Sequence, residues 1–136
     1  FEQMKLHTVH GRDLLSAAER RLGSDSFLRI AHDIAYCHHE RWDGKGYPRG
    51  IRGEAIPLSA RLMSVADVYD ALTSRRVYKP ALPHEEVVSI ICAGRNTQFD
   101  PDVVDAFIAT GETFRDIARR FADEDTLEKA LNAPGE

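Results

Sequence analysis

The chain has 136 residues, 43% of them hydrophobic and 29% charged, which fits one soluble globular domain and leaves little room for a second. A formal net charge of -4 excludes a broad electrostatic grip on duplex nucleic acid, which needs clustered excess Lys and Arg. Two distant thiols, Cys37 and Cys92, exclude a disulfide framework and point to a reducing cytoplasm, and no apolar run reaches the roughly 20 residues of a bilayer span.

The chain opens abruptly inside a charged, helix-like sequence without a signal peptide, which reads as a piece of something longer. Leu14, Leu15, Ala18 and Leu22 recur at helical spacing up to Gly23, a natural stop. Ser24 or Asp25 is expected to cap a second helix whose apolar stripe is Phe27, Ile30, Ala31, Ile34 and His38. Between residues 43 and 57, Gly44, Gly46, Gly50 and Gly53 stand with Pro48 and Pro57, so this segment is expected to be a long shaped loop.

Helical period returns at Leu58, with a stripe of Leu58, Leu62, Val65, Tyr69 and Leu72. Ala60, Met63, Ala66 and Ala71 make the other side apolar too, the mark of a central helix. Pro83 opens a further helix, with Glu85 and Glu86 at its positive end and Gly94 after it. Asp100-Pro101 reads as an N-cap with proline at the first position of a helix that stops at Gly111. Thr113-x-x-Asp116 resembles another cap, leading into Phe114, Ile117, Ala118 and Phe121. Strand-like alternation is absent, so the expected fold is all-α, about six helices with one functional loop.

Chemistry concentrates in His38-His39-Glu40-Arg41-Trp42-Asp43-Gly44-Lys45-Gly46-Tyr47-Pro48. Adjacent imidazoles at a helix end can approach one metal ion, although His38 alone also fits a hydrogen-bonded core histidine. Asp67 interrupts an apolar segment, where a buried carboxylate needs a metal or a salt bridge in equal measure. His7 and His10 flank the expected start of a helix, with Gly11 after them, and spacing does not choose between them. Arg75, Arg76 and Lys79 form a solvated helix end or a phosphate grip. Trp42 and Tyr47 anchor the loop or offer a stacking surface to a base.

Together these residues resemble the HD-GYP family of cyclic dinucleotide phosphodiesterases, a helical branch of the HD superfamily. The resemblance rests on Lys5-x-His7 with Gly11, on the His-His-Glu-x-x-Asp-Gly-x-Gly-Tyr-Pro run, and on Arg49-Gly50. It continues through Ile56-Pro57-Leu58, Ala66-Asp67-Val68-Tyr69-Asp70-Ala71-Leu72-Thr73 and Phe99-Asp100-Pro101. It spans residues 1–108 and leaves 109–136 as a variable helical tail.

The resemblance implies that His7, His38, His39 and Asp67 are metal ligands, with His38, His39 and Asp67 at the catalytic centre. His10 is set aside, because the family histidine lies four residues before the glycine. Tyr47, Arg76 and Lys79 match substrate-contacting positions, and the Gly46-Tyr47-Pro48 trio matches the loop linked to docking of diguanylate cyclase (GGDEF) domains. The implied reaction is hydrolysis of cyclic di-GMP to linear pGpG or GMP with two or three iron or manganese ions; zinc also suits these ligand types.

The family's upstream His-Asp pair and Gly-Lys have no counterpart in the chain. His32-Asp33 is rejected as a substitute because it lies off the apolar face and lacks the Gly-Lys. The expected parent is therefore a phosphodiesterase, the output domain of a response regulator or sensor. This chain alone is expected to be inactive, to hold one metal or none, and to self-associate. The other readings are a docking module for a GGDEF domain, and a His-Asp phosphohydrolase of other nucleotides, against which the Gly-Tyr-Pro trio and Arg76/Lys79 argue.

Overall fold

A computed structural model describes residues 2–23, 26–75 and 78–131, of which 2–4, 22, 26 and 123–131 are described by backbone alone. Six α-helices follow in order: α1 (Glu2–Leu22), α2 (Ser26–Cys37), α3 (Leu58–Thr73), α4 (His84–Ala93), α5 (Pro101–Ala109) and α6 (Gly111–Leu131). No strand occurs among the described residues, as expected; Arg95 and Phe99 form an isolated bridge. No described helix is long and apolar enough to cross a membrane.

Gly23 ends α1 in a left-handed conformation (φ 87°), its N–H bonded to the Glu19 carbonyl, a conformation that costs glycine nothing. The Ser24/Asp25 cap lies outside the described residues. α1 packs along α2, and a Cβ at Gly11 would stand 3.2 Å from Ala35 Cβ, so the two backbones come close there. The α2 stripe is only half buried: Phe27 and Ile30 are exposed, whereas Cys37 at the far end is buried. The reason is where α2 finds a partner, since its C-terminal end packs on the loop and α3.

α3 is central, packing on α2, α4 and α5. The main core joins its Val65 and Tyr69 to Val87, Ile91, Phe99, Val103, Val104 and Phe107. A smaller one joins Ala60 to Cys37 and Ile56 under the loop. Leu58 and Leu62, expected in the buried stripe, are exposed along with Met63, because α4 and α5 cover this face only from Val65 onward. Burial of Cys37 pushes its thiol up to about 11, with the Glu40 charge adding to the effect.

Asp100 caps α5 as expected, its carboxylate accepting from the Asp102 N–H at 2.9 Å and from Arg61 at 2.6 Å. The stop expected at Gly111 holds, with Thr110 as the C-cap of α5, whereas the cap expected at Thr113-Asp116 is corrected. α5 ends at Ala109, and α6 starts at Gly111 with Thr113 and Asp116 inside it. Phe114 and Ala118 then fall on the core, and packing overrides the local capping signal.

Candidate metal centre

The antiparallel crossing of α1 and α2 sets the geometry. Gly11 meets Ala35, so His7, one turn before Gly11, is carried over the end of α2 where His38 and His39 follow Cys37. The helix ends before both imidazoles. The His38 N–H still bonds the Ile34 carbonyl at 3.1 Å, and its ring Nδ1 lies 2.8 Å from the same oxygen. A carbonyl only accepts, so Nδ1 carries the proton and Nε2 presents its lone pair.

One ring nitrogen from each of His7, His38 and His39 falls within 4.8 Å of the others. Ring centroids stand 5.5 Å (His7–His38), 5.0 Å (His7–His39) and 4.1 Å (His38–His39) apart. Burial first, then the neighbouring His38 and His7, lower the His39 pKa from 6.5 to about 4, while Asp67 pulls the other way. The His39 ring is thus held in the neutral form that binds metal. This donor set fits a divalent transition ion.

Asp67 is exposed, which corrects the expectation of a buried carboxylate. Seven residues after Ala60 it shares that residue's side of α3, which packs on Cys37 at the end of α2. It lies outside the 4.8 Å histidine group, yet near enough for its charge to act on His39 and Tyr47. Its solvation replaces the burial penalty from which a metal role was first inferred.

The glycine-rich loop wraps over this end of α2. Gly44, Gly50 and Gly53 take left-handed φ values of 80°, 66° and 59°. The Trp42 and Asp43 N–H groups bond the Gln98 and Thr97 carbonyls, pinning the loop to the α4–α5 connection. Arg41 and the Lys45 N–H hold the Asp43 carboxyl down at about 2. Tyr47 stacks on His39 with centroids 4.8 Å apart and planes at 18°, and Lys5 Nζ lies 5.9 Å from the centre of the Tyr47 ring. The ring thus anchors the loop on a protein imidazole.

Other residues singled out in the sequence fall elsewhere. His10 is exposed and outside the cluster, and His32 Nδ1 lies 3.6 Å from Asp33 Oδ1, away from it. Lys79 is exposed, and Arg76 lies outside the described residues. Arg75 lines a groove of about 570 Å³ between α3 and α6. Sequence reasoning did not single out Glu40, which is 3% exposed; its place directly after the two histidines was the available signal.

A family model described as HD domain matches residues 1–103. A cyclic di-GMP phosphodiesterase of Vibrio cholerae serotype O1 is 56% identical over 123 residues, 90% of this chain and 25% of that protein. A cyclic di-GMP phosphodiesterase response regulator of Xanthomonas campestris pv. campestris is 43% identical over 119 residues, 88% of this chain and 30% of the relative. A solved structure of a cyclic GMP-AMP specific phosphodiesterase of V. cholerae matches with a TM-score of 0.63 at 25% identity, over 98% of this chain and 29% of that one. The chain thus spans a quarter to a third of the length of these relatives.

Proposed function

We propose that this chain, which belongs to the HD domain family and to its HD-GYP branch, supplies the histidine centre of a metal-dependent phosphodiesterase acting on cyclic di-GMP. The single observation that carries this reading is the convergence of His7, His38 and His39 within 4.8 Å. The reaction is opening of the cyclic dinucleotide to linear pGpG or on to GMP. The setting is the cytoplasmic output of a response regulator or sensor, in keeping with the Xanthomonas relative's name.

His7, His38 and His39 would hold the ion from one side and Asp67 from α3, with iron or manganese favoured by the mixed imidazole and carboxylate donors. A bound divalent ion supplies an acidified water and neutralises phosphate charge. The chain's own residues do the rest. The Ile34 carbonyl fixes the His38 tautomer. Tyr47 covers one face of His39 and keeps that ring from turning. Lys5, beside Tyr47, adds positive charge at this end of the site that a phosphate could use. Arg76 and Lys79 are the further phosphate and base contacts in this reading. Residues 1–108 are the C-terminal part of the HD-GYP domain in this reading and 109–136 its variable helical tail.

The test is hydrolysis of cyclic di-GMP by anaerobically purified protein supplied with iron(II) or manganese(II). The chain alone is expected to give no turnover; turnover that returns when the upstream segment is restored, and disappears again in Asp67→Ala and in His38→Ala, is the expected outcome. Turnover indifferent to both substitutions would overturn the reading. Running 3′3′-cGAMP alongside decides between the two substrate classes named among the relatives.

Docking of a GGDEF domain is the second reading, favoured by the exposed Lys45, Arg49 and Gly50 that rim the Gly46-Tyr47-Pro48 turn. The Tyr47 ring itself is engaged on His39, so a partner would meet the rim rather than the ring. Self-association follows from the exposed Leu14, Leu58 and Leu62, and light scattering at micromolar concentration tests it.

A further inference from the structure

We infer that Glu40 is a positioning residue whose buried carboxylate clamps the Gly46-Tyr47-Pro48 turn onto the end of α2 and so keeps Tyr47 stacked on His39. The inference rests on reading the histidine cluster as a metal centre, and it assigns a role to a residue which that reading does not use.

A carboxylate with 3% exposure is expensive to bury. Glu40 makes no ion pair among the described residues, and its Oε2 is buried without a hydrogen-bond partner among them. Packing alone would be served at lower cost by an apolar side chain of the same size. What the carboxylate provides is an acceptor: Oε1 receives the Arg49 N–H at 2.7 Å. A cavity of about 10 Å³, lined by Glu40, Arg61, Ser64 and Asp100 among others, adjoins it, space on the scale of one water that would serve Oε2.

The place of that acceptor in the loop explains its use. Pro48 has no N–H, so the turn has donors only on either side of it. The Tyr47 N–H goes to the His39 carbonyl at 3.2 Å, and the Arg49 N–H goes to Glu40. Between them Gly46 lies flat on the 39–41 backbone: a Cβ there would come within 2.6 Å of Glu40 Cα and nearer still to His39 O. Three fastenings therefore join residues 46–49 to residues 39–41, and only one uses a side-chain acceptor.

The test follows the His39 ring protons by NMR in the metal-free chain, with Tyr47→Ala marking their unstacked position, beside calorimetric titration with manganese(II). Glu40→Met keeps side-chain volume and removes both acceptors; Glu40→Gln keeps an oxygen for the Arg49 N–H. Glu40→Met is expected to move the His39 signals to the Tyr47→Ala position and to weaken manganese affinity by about 10-fold or more, the scale for partners that orient metal ligands. Glu40→Gln should restore both. The double variant with Tyr47→Ala should be no worse than either single one, because both act through the same stack. Unmoved His39 signals in Glu40→Met, no rescue by Glu40→Gln, or additive losses would each overturn the inference. A wild-type chain that binds no manganese(II) would instead sink the metal reading, and the ring positions alone would then decide the role of Glu40.

Discussion

The Nδ1 of His38 is committed to the Ile34 carbonyl, so its Nε2 is the only ligand atom this ring can offer. Replacing His38 with Ala should weaken manganese(II) affinity at least about 100-fold, beyond the range for outer partners, and titration calorimetry measures it. Gly46 is a second decisive residue, for lack of space rather than for its φ. Gly46→Ala should cost about 1–3 kcal/mol and displace the Tyr47 ring from His39; an unchanged urea midpoint would contradict this. The paired histidines, the loop and the glycines were legible in sequence because each is locally encoded. The solvation of Asp67 was not, since its helix face is apolar and only the tertiary arrangement shows that this flank is left open. The burial of Glu40 was not legible either, although its place directly after the two histidines marked it. Nothing in a sequence says which of two adjacent acidic or basic side chains turns inward.

Element ends show which local signals survive folding. Asp100-Pro101 predicted the start of α5 correctly because its side chain caps the helix and also meets Arg61, so local and tertiary demands agree. Thr113-Asp116 misled because α6 gains more by continuing through it and packing Phe114 and Ala118 on the core. The Phe27 stripe and the Leu58-Leu62 stripe had the right period, but period states only which residues share a face, and the covering element decides burial. At the α5 terminus two contributions can be separated. Asp100→Asn keeps an acceptor for the Asp102 N–H and loses only the charge facing Arg61, whereas Asp100→Ala loses both. The Ala variant should be the less stable by about 0.5–2 kcal/mol, the cost of an N-cap, in urea unfolding. Equal losses would mean that the ion pair alone fixes the start of α5.

At the scale of the whole molecule, the histidine cluster couples fold stability to pH. Folding holds the His39 imidazole neutral, its pKa lowered from 6.5 to about 4 by burial and by its neighbours. Between those values the unfolded chain binds a proton that the folded chain refuses, so stability rises with pH across the window. It is complete above pH 6.5 and lost as pH falls towards 4. The Arg41–Asp43 pair of the loop cannot mimic this slope, because its carboxyl titrates from 3.8 down to about 2, below the window. A divalent ion bound to the neutral rings would add to folded-state stability by mass action, and that gain would vanish over the same range as protons compete for the nitrogens. The urea midpoint of the metal-free chain should therefore fall from pH 7 to pH 4.5, and more steeply when manganese(II) is present. His39→Phe keeps a ring against Tyr47 and removes the titrating group, so it should flatten the metal-free slope; a slope as steep as that of the wild type would place the proton uptake elsewhere in the fold.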